Sequence, residues 1–376
     1  MEKAKNKQNK KQQNMLLKTY DISLDLKQEL KNIQNKKEQY TIPVFIPHKG
    51  CNNECVFCNQ KKISGHENPV SFDEVDDIIN SHLKFFDNAK KDIEIAFFGG
   101  SFTGIDIESQ IGYLKVANKY IKLGYVKGIR ISTRPDYINK AILNVLKKYN
   151  VSTIELGVQS MDEKILALSK RGHLKKHVIR ASKMIHLWGF ELGMQIMIGL
   201  PGSTLLSETN TIKEVLAKKP SCLRIYPVYV LGGSELYTMY KQGEYIPLTL
   251  DLAINRTVEV LKICSKTDVK IIRIGLQSTD EITSKNADIA GPICDNFAEY
   301  VLAKIVLETI ESTFLAKEKA TKKAQKIKND KPKYESVYLN LYVPSKYISI
   351  VVGPKKINKK YMYDKYNVIL NVKGIN

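Results

Sequence analysis

The stretch Cys51-Asn-Asn-Glu-Cys55-Val-Phe-Cys58 decides how this sequence folds and what it binds. Its thiols are separated by three and two residues and directly follow the apolar run Thr41–Ile46. Three thiolates on one short loop can each hold a different iron of a cubic four-iron cluster, because the short spacers let the backbone wrap one corner. The fourth iron then has no protein ligand. Such an open position is what a metal centre needs to bind and activate a small molecule.

The alternative for the same loop is a zinc knuckle completed by His48 or His66. A structural zinc ion closes its coordination sphere with four ligands. The chain would then be a nucleic-acid-binding protein with a structural metal site. The spacing favours the cluster, and Cys51, Cys55 and Cys58 are the predicted metal ligands.

Length and composition restrict the class of protein to which the chain can belong. The 376 residues suffice for one large domain with appendages or for two domains, and 43% hydrophobic residues can form a sizeable core. No apolar run approaches the roughly 18 residues of a membrane span, and the lysine-rich start has no secretory h-region. We therefore expect a cytoplasmic protein without membrane contact, in a compartment that keeps thiols reduced.

The formal charge of +20 is concentrated at the two ends of the chain. Residues 1–40 contain ten lysines and five acidic residues, and residues 316–376 contain fifteen lysines and four acidic residues. Basic segments commonly contact phosphates, so tRNA or another RNA is the first candidate partner. Solvated lysine-rich tails are the alternative.

Between these ends, short apolar runs alternate with helical patterns, which is typical of βαβ units and an α/β fold with a parallel sheet. Six strands are predicted, enough for an open or partial barrel: Ile42–Ile46, Ile93–Phe98, Gly128–Ser132, Thr153–Val158, Glu191–Ile198 and Leu223–Val228. Ser71 and Glu74 form a capping box before a helix over Val75–Phe86. Ligand-binding residues are expected in the loops that follow the strands.

Five polar or glycine-rich motifs stand near the ends of these strands. They are Gly99-Gly100-Ser101, Ser132-Thr-Arg-Pro-Asp136, Glu155-Leu-Gly-Val-Gln159-Ser160, Arg171-Gly-His173 and Gly199-Leu-Pro-Gly202. Each one alone has an ordinary structural explanation. The glycine motifs could be simple turns, and Gln159 could be a hydrogen-bonded core residue. Arg134 could lie at the surface, and His173 could lie at the surface or cap a helix.

Together with the cysteine loop, these motifs resemble the radical S-adenosylmethionine (SAM) superfamily, and within it the Elp3 family, the catalytic subunit of Elongator. The resemblance covers about Thr41 to Leu231. It implies a partial (β/α)6 TIM barrel, a [4Fe-4S] cluster, SAM chelated by the open iron, and an electron donor such as ferredoxin or flavodoxin. One electron would cleave SAM to methionine and a 5'-deoxyadenosyl radical.

The resemblance also implies roles for residues around SAM. Gly99 and Gly100 would approach its amino group, Gln159 and Arg171 would contact ribose or carboxylate, and Phe57 would line the adenine site. Ser132 stands where a polar group could reach the cofactor. Ser101 stands where glutamate is common and matches the subgroup that carries Gly-Gly-Thr or Gly-Gly-Ser. The chain departs from the Elp3 family after Leu236, where no acyl-CoA pattern follows, and the extended substrate domain of the oxygen-independent coproporphyrinogen oxidases, which share this type of core, is not recognisable either.

The resemblance favours a radical reaction on tRNA or RNA. A small metabolite such as a tetrapyrrole is the alternative substrate. Cys222, Cys264 and Cys294 have no metal spacing and are predicted to be structural thiols.

The remaining segments complete the predicted organisation. It comprises a basic arm (1–40), the radical SAM core (41–235), an extension that completes the substrate cavity (236–315), a lysine-rich linker (316–333) and a small basic β-rich appendage (334–376). The arm carries an amphipathic helical pattern over Leu24–Ile33. In the appendage, strands are predicted at Ser336–Val343, Tyr347–Val352 and Tyr366–Val372. The glycine turn at Gly353 resembles a K-homology RNA clamp, and a plain β-appendage is the alternative.

Overall fold

The computed structural model describes residues 18–33, 39–46, 51, 55–59, 70–86, 92–276, 288–327 and 337–375. The chain divides into two compact units. The larger unit comprises residues 32–297, and the smaller unit comprises residues up to 31 together with residues from 298 onward. Each unit has its own parallel sheet, and the two are described separately.

The larger unit is built on seven parallel strands that neighbour one another in chain order. These strands are β2 (Gln39–Ile46), β3 (Asp92–Gly99), β4 (Gly128–Thr133), β5 (Val151–Gln159), β6 (Glu191–Ile198), β7 (Cys222–Pro227) and β9 (Lys270–Ile274). An antiparallel ribbon pairs β8 (Val230–Leu231) with β10 (Ile289–Ala290). Sequential parallel order is the arrangement of barrels, and the sheet forms a curled half-barrel.

Helices connect these strands. They are α2 (Phe72–Phe85), α3 (Ile107–Lys122), α4 (Lys140–Lys148), α5 (Glu163–Leu168), α6 (Lys175–Leu187), α7 (Leu205–Leu216), α8 (Glu235–Lys241) and α9 (Leu250–Cys264). The predicted capping box is present, because the Ser71 side chain accepts from the Glu74 amide and the Glu74 side chain accepts from the Ser71 amide. The α/β partial-barrel prediction is confirmed, and β9 adds a seventh strand to the six predicted.

A buried ion-pair network crosses the concave side of this sheet. Arg130 on β4 donates to Glu94 on β3 at 2.8 Å and to Glu155 on β5 at 2.7 Å. Arg224 on β7 donates to the other oxygen of Glu155 at 2.7 Å. The network therefore links four strands through two guanidinium groups and two carboxylates.

Glu155 reaches β7 only because β6 carries a glycine between them. A Cβ atom on Gly193 would lie 2.7 Å from the Cγ atom of Glu155 and 3.1 Å from the Sγ atom of Cys222. The Arg224 guanidinium also lies 4.9 Å from the ring centre of Phe98, which is on β3. Strands that are four places apart in the sheet thus meet across its interior, as a curled sheet requires.

The smaller unit contains a three-stranded parallel sheet in the order β1 (Lys18–Ser23), β11 (Val337–Pro344) and β12 (Val368–Ile375). Its helices are α1 (Lys27–Leu30), α10 (Phe297–Ile327), α11 (Ile348–Val352) and α12 (Ile357–Tyr366). One apolar core joins Ile22, Leu341 and Leu370 of the sheet with Ile310 and Phe314 of α10.

One secondary-structure prediction in this unit is wrong, and another is confirmed only in part. The run Tyr347–Val352 is not a strand, because a 3-10 turn over Ser345–Tyr347 leads into the helix α11. The pattern over Leu24–Ile33 yields only the four-residue helix α1, preceded by the strand β1. Both runs pack against a core formed by distant segments, and this tertiary packing overrides local periodicity.

No helix in the described part of the chain has the length and apolar composition that a membrane span needs.

Replacing Glu155 by Gln should destabilise the larger unit strongly. The carboxylate is buried, and although burial raises its pKa, the charges of Arg224 and Arg130 outweigh this and hold the pKa of Glu155 below its usual value. The variant leaves two buried guanidinium groups short of a counter-charge, which costs about 3–5 kcal/mol. Urea unfolding followed by circular dichroism measures the loss.

The matched control is Glu259→Gln on α9, where Glu259 pairs with Lys262 and both side chains are 45% exposed. That change should alter the free energy of unfolding by less than about 1 kcal/mol. Equal losses in the two variants would contradict the role given to the network.

Candidate active site

The cysteine loop follows β2 and is anchored to the barrel by three hydrogen bonds. The Val56 amide donates to the Ser169 carbonyl at 3.2 Å, and the Leu236 amide donates to the Val56 carbonyl at 2.7 Å. The Asn59 side chain donates to the Gly232 carbonyl at 2.8 Å. Val56 is fully buried in an apolar cluster with residues of α5 and α8, and the half-buried Phe57 packs against the same cluster. The loop is therefore held in place by backbone hydrogen bonds, the Asn59 side chain and apolar packing.

The three thiols have different surroundings. Cys51 is exposed, and its Sγ atom lies 3.3 Å from the Ser101 hydroxyl. Cys55 is buried and accepts a hydrogen bond from Nη1 of Arg171 at 3.3 Å. Cys58 is half-buried, and its amide donates to the Cys55 carbonyl at 2.9 Å. Two of the three predicted metal ligands thus contact a residue from another predicted motif: Cys51 contacts Ser101, and Cys55 contacts Arg171.

Arg171 connects the cysteine loop to the end of β5. Its Nη2 atom donates to the Gly157 carbonyl at 2.8 Å. A Cβ atom on Gly157 would lie 2.7 Å from this nitrogen and 3.1 Å from the side-chain nitrogen of Gln159. Gln159 is buried, has a φ of +64° and follows a break in the strand register. The glycine therefore leaves room for Arg171 and Gln159 to lie side by side near Cys55.

Gly99 and Gly100 lie where β3 ends beside β2. Gly99 has a φ of +111°, and a Cβ atom there would lie 2.5 Å from the Ile46 carbonyl oxygen. The Gly100 amide donates to the same oxygen at 3.3 Å. The close approach of the two strands explains why position 99 is glycine, so a ligand is not needed to account for it. Ser132 is half-buried near the end of β4.

Arg134 and His173 are both 1% exposed, so the surface alternative for Arg134 and the surface or capping role expected for His173 are wrong. Arg134 makes two hydrogen bonds to Asp136, at 3.0 and 2.9 Å. Burial opposes its charge, but Asp136 and then Cys55 raise the pKa of Arg134. Leu174, not His173, precedes α6 as its N-terminal residue. Sequence alone gave no signal for this burial, because both side chains are polar and lie in loops.

In this region, four buried nitrogen atoms of arginine and histidine side chains have no hydrogen-bond partner within the described part of the chain. They are Nη1 of Arg134, Nε of Arg171 and both ring nitrogens of His173. Buried polar groups normally find partners, so a concentration of exceptions marks a place where a ligand can supply them. All three residues are close enough to interact electrostatically with Cys55, Asp136 or one another.

The donor set fits the group that the three thiols predict. A cubic cluster needs three thiolates that bind different irons, and an anionic cluster is favoured by nearby guanidinium groups. Among the described residues, no three His, Cys, Asp or Glu side chains converge on a single metal ion. A cluster does not require such convergence. His48 and His66, proposed for the zinc alternative, lie outside the described residues.

The turn after β6 is fixed from two sides. The Glu208 carboxylate accepts from the Gly199 amide at 2.7 Å and is paired with Arg256. The Tyr245 hydroxyl donates to the Gly199 carbonyl at 2.6 Å. The sequence marked the turn at Gly199–Gly202 but not these supports, which come from α7, α9 and the segment between α8 and α9. Cys222 and Cys264 are buried, as predicted.

Two family sequence models match most of the larger unit and the first residues of the smaller unit that follow it. The model of the Radical SAM superfamily matches residues 45–215, and that of the Radical SAM C-terminal domain matches residues 220–306. These matches contain the cysteine loop and all five motifs.

Among curated proteins, a tRNA uridine(34) acetyltransferase of Methanocaldococcus jannaschii is 32% identical over 182 residues, which are 43% of this chain and 34% of the relative. An uncharacterized protein of the same organism is 31% identical over 221 residues, which are 56% of this chain and 67% of the relative. The match thus spans about a third of the acetyltransferase and two thirds of the second relative.

The solved structure of the archaeal Methanocaldococcus infernus Elp3 with an N-terminal deletion has a TM-score of 0.57 and 25% identity to this chain. The likeness covers 70% of this chain and 61% of that one. The predicted resemblance to an Elp3-like core is confirmed.

The stability of the larger unit should decrease as the pH is lowered, and part of this decrease should depend on His173. Burial, and then the charge of Arg171, lower the pKa of His173 from 6.5 to about 3. The unfolded chain therefore takes up the proton first, so the stabilising difference is complete above about pH 6.5 and is lost as the pH falls toward 3. His173→Asn cannot titrate. Between pH 7 and 5 it should lose about 2 kcal/mol less unfolding free energy than the parent chain.

Urea unfolding at pH 8, 7, 6 and 5 measures this difference. Between pH 8 and 7 the histidine is largely neutral in both states, so the two proteins should there change in parallel. Parallel curves down to pH 5 would show that His173 is accessible to protons in the folded chain.

Proposed function

This chain belongs to the radical SAM superfamily, and on that premise we propose that it is an Elp3-like enzyme that uses a [4Fe-4S] cluster and SAM to modify tRNA or another RNA. The observation that carries the proposal is the loop of Cys51, Cys55 and Cys58, with the Arg171 guanidinium on the Cys55 sulfur at 3.3 Å. Bound together, the cluster and SAM supply a 5'-deoxyadenosyl radical through one-electron cleavage of SAM.

In this proposal the three cysteines would hold the cluster, and Arg171 would orient the Cys55 sulfur and offset its negative charge. Hydrogen bonds to cluster sulfurs and nearby positive charge are the means by which a protein sets a cluster's reduction potential. The Nε atom of Arg171 and the Nη1 atom of Arg134 remain available to a carboxylate, since neither has a partner in the described structure. Arg171 is therefore proposed to bind SAM. Gln159 is proposed to bind SAM with it, because the two side chains lie side by side at Gly157.

The remaining SAM contacts follow from position. Gly99, Gly100 and Ser132 lie at the carboxyl ends of β3 and β4, where parallel barrels bind ligands. Phe57 packs on the apolar cluster below the cysteine loop and offers a ring to adenine. An electron donor such as ferredoxin or flavodoxin would supply the electron. A cytoplasmic location suits thiolate ligands, which need a reducing compartment.

The proposed RNA substrate rests on two observations. The curated relatives include tRNA uridine(34) acetyltransferases. The smaller unit carries twenty-four lysines and eleven acidic residues, a formal charge of +13 in 110 residues. Such a density of positive charge favours phosphate backbones. The matched region covers only 34% of the acetyltransferase, so acetyl transfer is not part of the proposal.

Replacing Cys55 by Ala should abolish both the cluster and SAM cleavage. The variant keeps only two of the three thiolate ligands, which are too few to hold a cubic cluster. Anaerobically reconstituted protein should contain four irons and four sulfides per chain, and with dithionite and SAM it should form 5'-deoxyadenosine. Iron and sulfide analysis and chromatography measure the two properties.

Cys264→Ala is the control, since this buried thiol lies inside α9 and outside the loop. It should keep the iron content and the cleavage activity. A parent chain that takes up one zinc and no sulfide would exclude the radical mechanism.

A strain that lacks the gene should lose one modified nucleoside from its RNA. Nucleosides from digested tRNA of the two strains are compared by mass spectrometry. The signal should return with the parent gene but not with the Cys55→Ala variant, because the modification depends on the radical. An unchanged nucleoside profile, combined with active SAM cleavage in vitro, would direct attention to a small-molecule substrate instead.

A further inference from the structure

The sheet of the smaller unit has two different faces. One face supplies Ile22, Leu339, Leu341 and Leu370 to the apolar core, all of them buried. Side chains of the other face alternate with these along each strand. Within the described part of the unit, none of them belongs to that core. Tyr338, Tyr342 and Ile369 are half-buried rather than buried. We call this second face the tyrosine face.

Strand register arranges the tyrosine face in three rows. Thr19, Tyr338 and Ile369 form the first row, Asp21, Asn340 and Asn371 the second, and Ser23, Tyr342 and Lys373 the third. The central strand β11 therefore presents two aromatic rings, four residues and about 13 Å apart, with the amide of Asn340 between them and that of Asn371 beside it on β12. The rows cross the sheet perpendicular to the strands.

Hydrogen bonds fix the polar side chains of this face. Asn371 donates to Asn340 at 3.2 Å, and Asn340 donates to Asp21 at 3.0 Å. The Tyr342 hydroxyl also donates to Asp21 at 3.3 Å. Asp21 is thus engaged by neighbours on the same face, which spreads its negative charge. The chain of side chains holds the amides and one ring in defined orientations.

Positive charge lies beside one of these rings and at the far edge of the sheet. The Lys373 ammonium is 5.4 Å from the ring centre of Tyr342. On the opposite edge of the sheet, Lys317 of α10 donates to the Asp21 carbonyl at 2.6 Å. Partly exposed aromatic rings on a sheet face with a basic group nearby are the chemistry that binds unpaired bases, because every base has a π face and every nucleotide has a phosphate.

We propose that the tyrosine face binds single-stranded RNA, with Tyr338 and Tyr342 stacking on bases. Asn340 and Asn371 offer amide groups to base edges between the rings, and Lys373 lies near the phosphate backbone. This proposal rests on the proposed RNA-modifying function and adds an RNA-binding site to it. It concerns RNA binding and not the radical reaction. SAM cleavage without RNA tests the proposed chemistry separately.

The test measures binding of the full chain to a fluorescein-labelled oligouridylate of about ten nucleotides, within the usual site size of single-strand binders. Fluorescence anisotropy is recorded at several salt concentrations. Tyr338→Ala and Tyr342→Ala should each weaken binding roughly 5- to 150-fold, the loss expected for one stacked base. Tyr338→Phe and Tyr342→Phe keep the rings and should keep the affinity.

Tyr363→Ala is the matched control, because this tyrosine is 55% exposed on α12 and is not on the sheet. It should bind as the parent chain does. Lys373→Ala should lower the slope of log affinity against log salt by about one. Circular dichroism verifies that each variant is folded.

The proposal is overturned if the alanine variants at 338 and 342 fold and bind RNA as tightly as Tyr363→Ala. It is also overturned if the phenylalanine variants lose as much affinity as the alanine variants, since stacking would then not be the interaction. In both cases SAM cleavage stays measurable, so the failure would be distinct from failure of the proposed reaction.

Discussion

The ion pairs of Arg130 and Arg224 with the shared carboxylate of Glu155 are the interaction on which the larger unit depends. Four strands contribute to this network, which lies in the concavity of the sheet instead of at its surface. Burying such a network costs desolvation free energy, and the attraction between the charges offsets this cost only when each charge has its partner. Its geometry therefore specifies one curvature for the sheet, because a flatter sheet would separate β3 from β7 and leave Arg224 away from Phe98.

That curvature determines where the loops meet. The cysteine loop after β2 lies against Ser169, which follows α5, and the side chain of Arg171 then reaches Cys55 from a position beyond the end of β5. In a flat sheet, β2 and β5 would be three strand spacings apart, about 14 Å, too far for these hydrogen bonds. Buried guanidinium groups with unfilled donors are unfavourable for folding alone, and their presence near Cys55 supports the ligand-binding role proposed for Arg171.

Much of this could be predicted from sequence, because local patterns decided it. The run Glu191–Ile198 is a strand over the whole predicted range, and Ser71 caps α2 through the box that its spacing with Glu74 indicated. The ion-pair network could not be predicted, since its members are far apart in the chain and depend on Gly193 to leave space. His173 looked like a surface residue because nothing local reveals that Arg134 and Asp136 pack near it.

The lysine-rich ends were the least predictable region, and the reason is topological. β1 pairs with β11 over the register Lys18–Val337 to Ser23–Tyr342, so the first described strand is completed by residues more than three hundred positions later. Neither end forms this sheet alone, so the local pattern of the arm, which predicted a helix over Leu24–Ile33, gave no sign of the strand β1 that precedes α1. Removing residues 316–376 would also strip β1 of its partner and expose Tyr20 and Ile22. Loss of RNA binding after such a deletion would then report unfolding of the sheet as readily as loss of charge. Single substitutions on one face of the folded sheet separate these two causes.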